Sequence, residues 1–236
     1  MVLSNLLKKV FIIESQQEFL RTVALISGSF KPPHAGHFDM IQKYADKADE
    51  VVVLISNPKS KKSLRPTCFG TYITPEMSKD VLDLYVQKYG LKNIEVIVSP
   101  EPSPITAMFK YVDDNLKDVD VIFGVSKKDD DLKRFSNIQK YADELHNKNN
   151  VNILDPSTTA VEPYEANGKP ISATDIRNNL DKPDVVKPML PAKLSDADVE
   201  KVLEILSAGK KDESVESVFE EDSAVSLWLA AIQRKK

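Results

Sequence analysis

Apolar positions along the chain follow two periods. Val23-Ala24-Leu25-Ile26 and Val51-Val52-Val53-Leu54-Ile55 are continuous runs without polar alternation, the pattern of parallel strands buried on both faces. Between them Phe38, Ile41, Tyr44, Ala45 and Ala48 recur at helical spacing. Extended along the chain, this reading predicts strands at 22–27, 50–56, 93–98, 119–124 and 151–154. It predicts helices at 35–48, 74–89, 105–116 and 131–147. Thr74-Pro75-Glu76 starts the second of these well, with Thr as N-cap, Pro at the first helical position and an acid in the first turn, and Gly90 stops it. Strictly alternating strands and helices give right-handed βαβ units. The expected fold is α/β: a Rossmann-like, doubly wound, five-stranded parallel sheet whose site lies at the carboxyl ends of the strands.

Two appendages flank the expected domain over 21–180. Residues 1–20 carry Leu3, Leu6, Leu7, Val10 and Phe11 at helical spacing and predict an N-terminal helical extension. Residues 181–236 form a C-terminal extension. It begins with a linker punctuated by Pro183, Pro188 and Pro191. A helix follows, capped by Ser195 and Asp198, with Val199, Val202, Leu203 and Leu206 inward and a stop at Gly209. An acidic tail then leads to an amphipathic segment over 225–232 that contains Trp228. That segment suits docking on the domain, on a neighbouring subunit in a homo-oligomer, or on another protein. The stretch over 155–170 is rich in Pro, Gly and Thr and reads as a loop.

Composition narrows the class. A chain of 236 residues, 42% hydrophobic and 29% charged, is ordinary for a soluble globular protein. A net charge of −4 argues against a dedicated nucleic-acid binder. The single cysteine, Cys68, excludes an internal disulfide and fits a reducing compartment. No apolar run approaches the ~18 residues needed to span a membrane, and Val10-Phe11-Ile12-Ile13, followed by Glu14, is too short for a signal-peptide core. The expectation is a cytoplasmic protein with no membrane partner.

Candidate chemistry clusters at three strand ends. Gly28-Ser29-Phe30-Lys31-Pro32-Pro33-His34-Ala35-Gly36-His37 follows the first strand and opens the first helix. Unpaired N–H groups and the dipole make such a helix start an anion site. Gly28 is expected to turn the chain tightly, and Gly36 to leave room for a phosphate or nucleoside. The imidazoles of His34 and His37 can donate to phosphate oxygens, or simply cap a helix. After the second strand, Lys59, Lys61, Lys62 and Arg65 place four cations in seven positions. These form either a solvated loop or, with Lys31, a phosphate or acceptor clamp. Near the end, Ile171-Ser172-Ala173-Thr174-Asp175-Ile176-Arg177 opens a helix with an S-x-x-D capping box. Capping explains Ser172 and Asp175 but leaves Thr174 and Arg177, a hydroxyl and a guanidinium fork one turn apart, suited to a phosphate tail.

Together the two stretches resemble the signature pair of the HxGH nucleotidylyltransferase superfamily, whose domain is cytidylyltransferase-like. The overlap covers about 22–180. Gly28-Ser29-Phe30-x-Pro32-Pro33-His34-x-Gly36-His37 looks most like the nicotinamide and nicotinate mononucleotide adenylyltransferases within it. The resemblance implies transfer of a nucleoside monophosphate, AMP from ATP, to a small phosphate-bearing acceptor, with pyrophosphate released. His34, His37 and Arg177 would be catalytic. Gly28, Ser29, Phe30, Gly36, Ser172 and Thr174 would bind the nucleotide, with Gly124, Ser126, Lys127 and Lys128 at the end of the fourth strand. Mg²⁺ is implied as the cofactor, bound mainly through substrate phosphates. Nicotinamide or nicotinate mononucleotide is the first acceptor. Cytidylyl transfer, a phosphopantetheine-type acceptor, and a non-catalytic nucleotide- or partner-binding protein are the alternatives.

Overall fold

The computed structural model describes residues 20–58, 65–127, 148–166 and 169–208. The expected N-terminal helix (all but Leu20), Lys59, Lys61 and Lys62 of the basic loop, Lys128, the helix expected over 131–147 and the tail from 209 lie outside the described residues.

Five strands, β1 (Arg21–Gly28), β2 (Glu50–Ile55), β3 (Ile94–Val98), β4 (Val119–Phe123) and β5 (Val151–Ile153), form one parallel sheet in the order β3-β2-β1-β4-β5. The order reverses between β1 and β4, and that switch point is where open α/β sheets place their ligand crevice. The register aligns Ile26 with Val53 and Ala24 with Ile122.

The apolar runs do what their lack of alternation demands. Ala24 and Ile26 face one core with Val51, Val53 and Ile55, while Val23 and Leu25 face another with Val52 and Leu54. Helices α1 (Ala35–Ala45) and α2 (Pro75–Tyr89) cover the first face, and α3 (Pro104–Asn115) covers the second. α1 stops at Ala45, three residues early, where the Lys47 N–H turns to the Tyr44 carbonyl three residues back instead of making the helical bond four back. α2 starts and stops as its signals predict, with Thr74 accepting from the Met77 N–H and Gly90 left-handed at φ 68°.

Two expectations need correction. The stretch over 155–170 is not all loop. It contains a four-residue helix, α4 (Pro156–Thr159), and a two-stranded ribbon, β6 (Glu165–Ala166) with β7 (Lys169–Pro170). The residues after Leu180, expected as a linker punctuated by proline, pack into the domain. Proline there sets up short turns, α6 (Pro183–Val186) and a 3₁₀ turn (Lys187–Met189), after α5 (Ala173–Asn178). Val186, Leu190 and Leu194 are buried in the same core as α1 and α2. The last helix, α7 (Asp196–Ser207), packs its Val199, Val202, Leu203 and Leu206 against α2. Its capping box is present, and Lys88 of α2 reaches Asp198 at 2.7 Å.

Among the described residues no helix is long and apolar enough to cross a membrane.

Candidate active site

The loop from β1 into α1 is held from three sides. Its start is fixed by the sheet: Ser56 N–H donates to the Gly28 carbonyl at 2.9 Å, and the Ser29 and Ser56 hydroxyls meet at 3.2 Å. From α2, Ser78 Oγ donates to the Phe30 carbonyl at 2.7 Å. From α5, Arg177 Nη1 donates to the Lys31 carbonyl. The clamped segment includes Phe30 at φ 44°, a left-handed conformation that a bulky residue adopts only when its surroundings impose it. Phe30, and not Gly28, therefore makes the tight turn. Gly28 is glycine for another reason: a Cβ there would lie 3.1 Å from the Phe30 ring.

His34 is the N-cap of α1, and its Nδ1 accepts from the His37 N–H at 3.4 Å. A neutral His34 accepting at Nδ1 carries its proton on Nε2, which makes Nε2 the donor. The two imidazoles stack at 3.7 Å with 24° between their planes, and Phe30 meets His37 edge-on at 5.1 Å. Helix capping and phosphate binding, rival readings of the sequence, thus use different nitrogens of His34. The room at Gly36 is taken in part by protein, since a Cβ would sit 3.2 Å from the His34 ring.

The second motif lies against the first. Ser172 caps α5 by accepting from the Thr174 N–H at 3.2 Å. Asp175 does not return the bond, so the expected box is a single cap. Arg177 is 8% exposed, and its Nη2 donates to Thr174 Oγ1 at 2.9 Å while Nη1 holds the Lys31 carbonyl. The guanidinium thus joins the two motifs across 146 residues. Its burial and the nearby Arg65 both push its pKa down.

These elements border two cavities. One, of about 330 Å³, is lined by His34, Gly36, His37, Met40, Ser126 and Glu162, among others. The other, of about 360 Å³, is lined by Ser27, Ser29, Phe30, Lys31, Pro104 and Gly124, among others. His37 and Met40 border both. Each volume is within the range of small-molecule sites. Gly124 closes the wall of the second. A Cβ there would fall 2.6 Å from Ile26 Cγ1, so any side chain would displace β1 or Tyr44.

The cations divide. Lys31 borders the second cavity and is 9% exposed. Burial, then Arg65 and Arg177, pull its pKa below that of an ordinary lysine. Arg65 is therefore near both. Lys127 is drawn aside, paired with Glu162 at 2.5 Å on the rim of the first cavity. Ser126, by contrast, is buried and lines that cavity.

Several contributors carry no sequence signal of their own. The Tyr44 hydroxyl, read from its spacing as a core residue, donates to the Val125 carbonyl at 2.9 Å and accepts from the Val125 N–H at 3.0 Å. It also lies 3.2 Å from the Thr159 carbonyl, and so ties the loop after β4 to the strap over 159–164. That strap brings Val161, Glu162, Pro163 and Tyr164 to the first cavity. Ser78 sits in the first turn of α2, where only the observed fold reveals its hold on Phe30.

The family model "Cytidylyltransferase-like" matches residues 25–179. Among solved structures, a protein provisionally described as a nicotinate-nucleotide adenylyltransferase from Vibrio parahaemolyticus is 16% identical, with a TM-score of 0.47 over 78% of this chain and 99% of its own. A bifunctional NMN adenylyltransferase/ADP ribose pyrophosphatase from Francisella tularensis, complexed with AMP and a manganese ion, is 13% identical. Its TM-score is 0.48 over 89% of this chain, which spans only 56% of that one.

Proposed function

The chain belongs to the cytidylyltransferase-like family of nucleotidyltransferases, and from that premise we propose that it transfers AMP from ATP to a small phosphate-bearing acceptor, first of all nicotinamide or nicotinate mononucleotide, releasing pyrophosphate. The observation that carries this reading is the junction made by Arg177. A buried guanidinium joins the loop over 28–37 to the start of α5, and in this reading the two segments together form one anion site.

In this reading the nucleoside occupies the cavity beside Ser126, Val161 and Tyr164. The triphosphate runs past His34 and His37 toward Ser172, Thr174 and Arg177. The acceptor enters the cavity beside Ser29, Lys31 and Pro104. An acceptor phosphate is already a competent nucleophile, so the protein has two tasks: aligning it in line with the α-phosphorus, and stabilising charge as pyrophosphate leaves. His34 and His37 would contact the α-phosphoryl and the leaving group. Ser172, Thr174 and Arg177 would hold the β- and γ-phosphates. The backbone at Ser29 and Phe30 would lie along the α-phosphate. The polar side chains lining the cavities are the imidazoles of His34 and His37, the hydroxyls of Ser27, Ser29, Ser126 and Tyr164, Lys31 and the single carboxylate of Glu162, a set that fits a divalent ion held mainly by the triphosphate itself. Bound there, Mg²⁺ would offset charge on the phosphate oxygens.

The test is pyrophosphate release in the presence of Mg²⁺, with ATP, CTP, GTP and UTP each offered against a panel of phosphate-bearing acceptors. Release is expected with ATP and nicotinamide or nicotinate mononucleotide. His37→Ala should lower turnover by about 10²–10³, the effect of losing one strong transition-state donor. Undiminished turnover in a folded variant would remove His37 from the mechanism, and no release with any pair would remove the enzyme reading.

A further inference from the structure

The second face of the sheet is covered unevenly. On the first face α2 packs over β3, and Val96 is buried there. On the second face α3 packs on β1 and β2. Ile97, which pairs with Leu54 in the register, is left half-buried on that side, and Glu95 is exposed. Residues two apart on a strand share a face, so Arg21 and Glu50, in step with Val23 and Val52, belong to this side as well. Apolar sheet surface is stable when a further element covers it.

A groove runs along that strip. Leu54 and Ile97 line it from the sheet, and Ala107, Lys110 and Tyr111 line it from α3. Its volume of about 100 Å³ falls well below the ~300–1,000 Å³ of small-molecule sites and is close to the size of one large apolar side chain. Such a groove suits a side chain presented by a helix better than a free ligand. Acids border it. Glu101 and Asp114 are among its lining residues, Glu95 lies two positions from Ile97, and of these Glu101 is paired, with Lys110 at 3.3 Å.

Residues 1–19, outside the described residues, match this strip in pattern, charge and position. Leu3, Leu6, Leu7, Val10 and Phe11 form one stripe at helical spacing. On the same helical wheel Lys8 falls just beyond Phe11 and Lys9 just beyond Leu6, so a lysine borders the stripe on each side, opposite the acidic rim. The chain also enters beside the groove. Residue 20 leads into Arg21, which pairs with Glu50 at 3.1 Å. Burial, then Glu95 and Glu50, push the Tyr111 pKa up and Arg21 pulls it down, so the start of β1 stands near a residue that lines the groove. A helix over 3–11 would be about 14 Å long and β3 is about 17 Å, while the residues over 12–19 can span up to about 26 Å to reach β1. The apolar segment over 225–232 fits less well. It follows α7, which packs on the first face, and Glu220, Glu221 and Asp222 precede it.

We propose that residues 1–19 dock as an amphipathic helix in the groove between α3 and β3 and close the second face of the sheet. The groove touches the site from behind. Ser99, Pro100 and Glu101 line it, the Glu101 carbonyl accepts from the Asn57 N–H at 3.0 Å, and the same loop carries Pro104 to the 360 Å³ cavity. A docked helix therefore steadies one wall of that cavity, whatever reaction the cavity serves.

The test is hydrogen exchange, read by mass spectrometry, on the full chain and on a chain from which residues 1–19 are removed. Removal should speed exchange over 94–98 and 107–115 by at least about 10-fold, as expected when a local cover is lost, and leave α7 within about 2-fold. A synthetic peptide of residues 1–19 should restore the protection. Leu7→Asp in the full chain should give the same pattern, and it serves alone if the shortened chain does not fold. Unchanged exchange over 94–98 and 107–115 would overturn the docking, as would an equal rise throughout the protein, which marks general destabilisation. Protection lost from another surface would place the segment there and overturn it too. Light scattering identifies a second copy: a dimer that becomes a monomer without residues 1–19, with protection that falls on dilution, would mean that the segment covers a neighbour's groove, and the proposal for the single chain would fail.

Discussion

Replacing Tyr44 with phenylalanine removes one oxygen atom and keeps the ring that fills the core between α1 and the sheet. The ring is fully buried, so no water replaces the lost hydroxyl. The Val125 carbonyl keeps a partner, because the Val161 N–H donates to it at 3.1 Å. The Val125 N–H loses the hydroxyl that accepts from it at 3.0 Å, and the Thr159 carbonyl loses the donor 3.2 Å away. A buried N–H left without a partner costs about 1–3 kcal/mol. Taking about 2 kcal/mol, and about 2–4 °C per kcal/mol for a protein of this size, Tyr44→Phe should lower Tm by about 4–8 °C. The damage falls on the loop after β4 and the strap over 159–164, which are walls of the 330 Å³ cavity. If about half of the loss must be recovered when a nucleotide orders those walls, ATP affinity falls by about 5-fold. Scanning calorimetry and titration of ATP read the two effects. A Tm within about 1 °C of wild type, together with undiminished ATP affinity, would refute the idea that this hydroxyl shapes the site.

Two more outcomes follow from particular contacts. Arg177→Lys offers one point donor where the guanidinium serves both Thr174 and the Lys31 carbonyl, so ATP affinity should fall by about 10-fold or more; unchanged affinity by titration would leave Arg177 with only a bracing role. Asp198→Asn bears on acid stability. Lys88 and then the Ser195 hydroxyl hold the Asp198 carboxyl down to about 2. A lowered carboxylate pKa adds stability that is complete above the unfolded value of about 4 and is lost as pH falls through the folded one. Tm against pH should therefore separate the two proteins above about pH 4 and bring them together near pH 2, and a constant gap across that window would refute the linkage.

The parallel sheet was legible because it rests on local sequence. Val51 to Ile55 can only be a strand with two buried faces, and Thr74-Pro75-Glu76 can only start a helix, whatever surrounds them. Both motifs were legible for a similar reason, since each is a short run at the end of an element. The contacts between them were not. The positive φ of Phe30 is imposed by Ser78, which is 48 positions away, and the spacing of Tyr44 announces its ring but not the work of its hydroxyl. Pro183, Pro188 and Pro191 read as the punctuation of a linker. They gave no hint that Val186, Leu190 and Leu194 between and beyond them are buried, because three apolar residues in irregular chain have no period to detect.

The link from Arg177 to Lys31 also bears on how the chain reaches its active form. The loop over 28–37 and the start of α5 are far apart in the chain: β1 to β3 lie on one side and pair through local crossovers, while β4 and β5, on the other side of β1, precede α5 in sequence. Contacts so distant in sequence close late. Nucleotide would therefore recognise only the finished protein, and its presence would raise the population of that end state without helping any half-built one. Substrate occupancy would act as a check on complete folding, applied at the last joint to form.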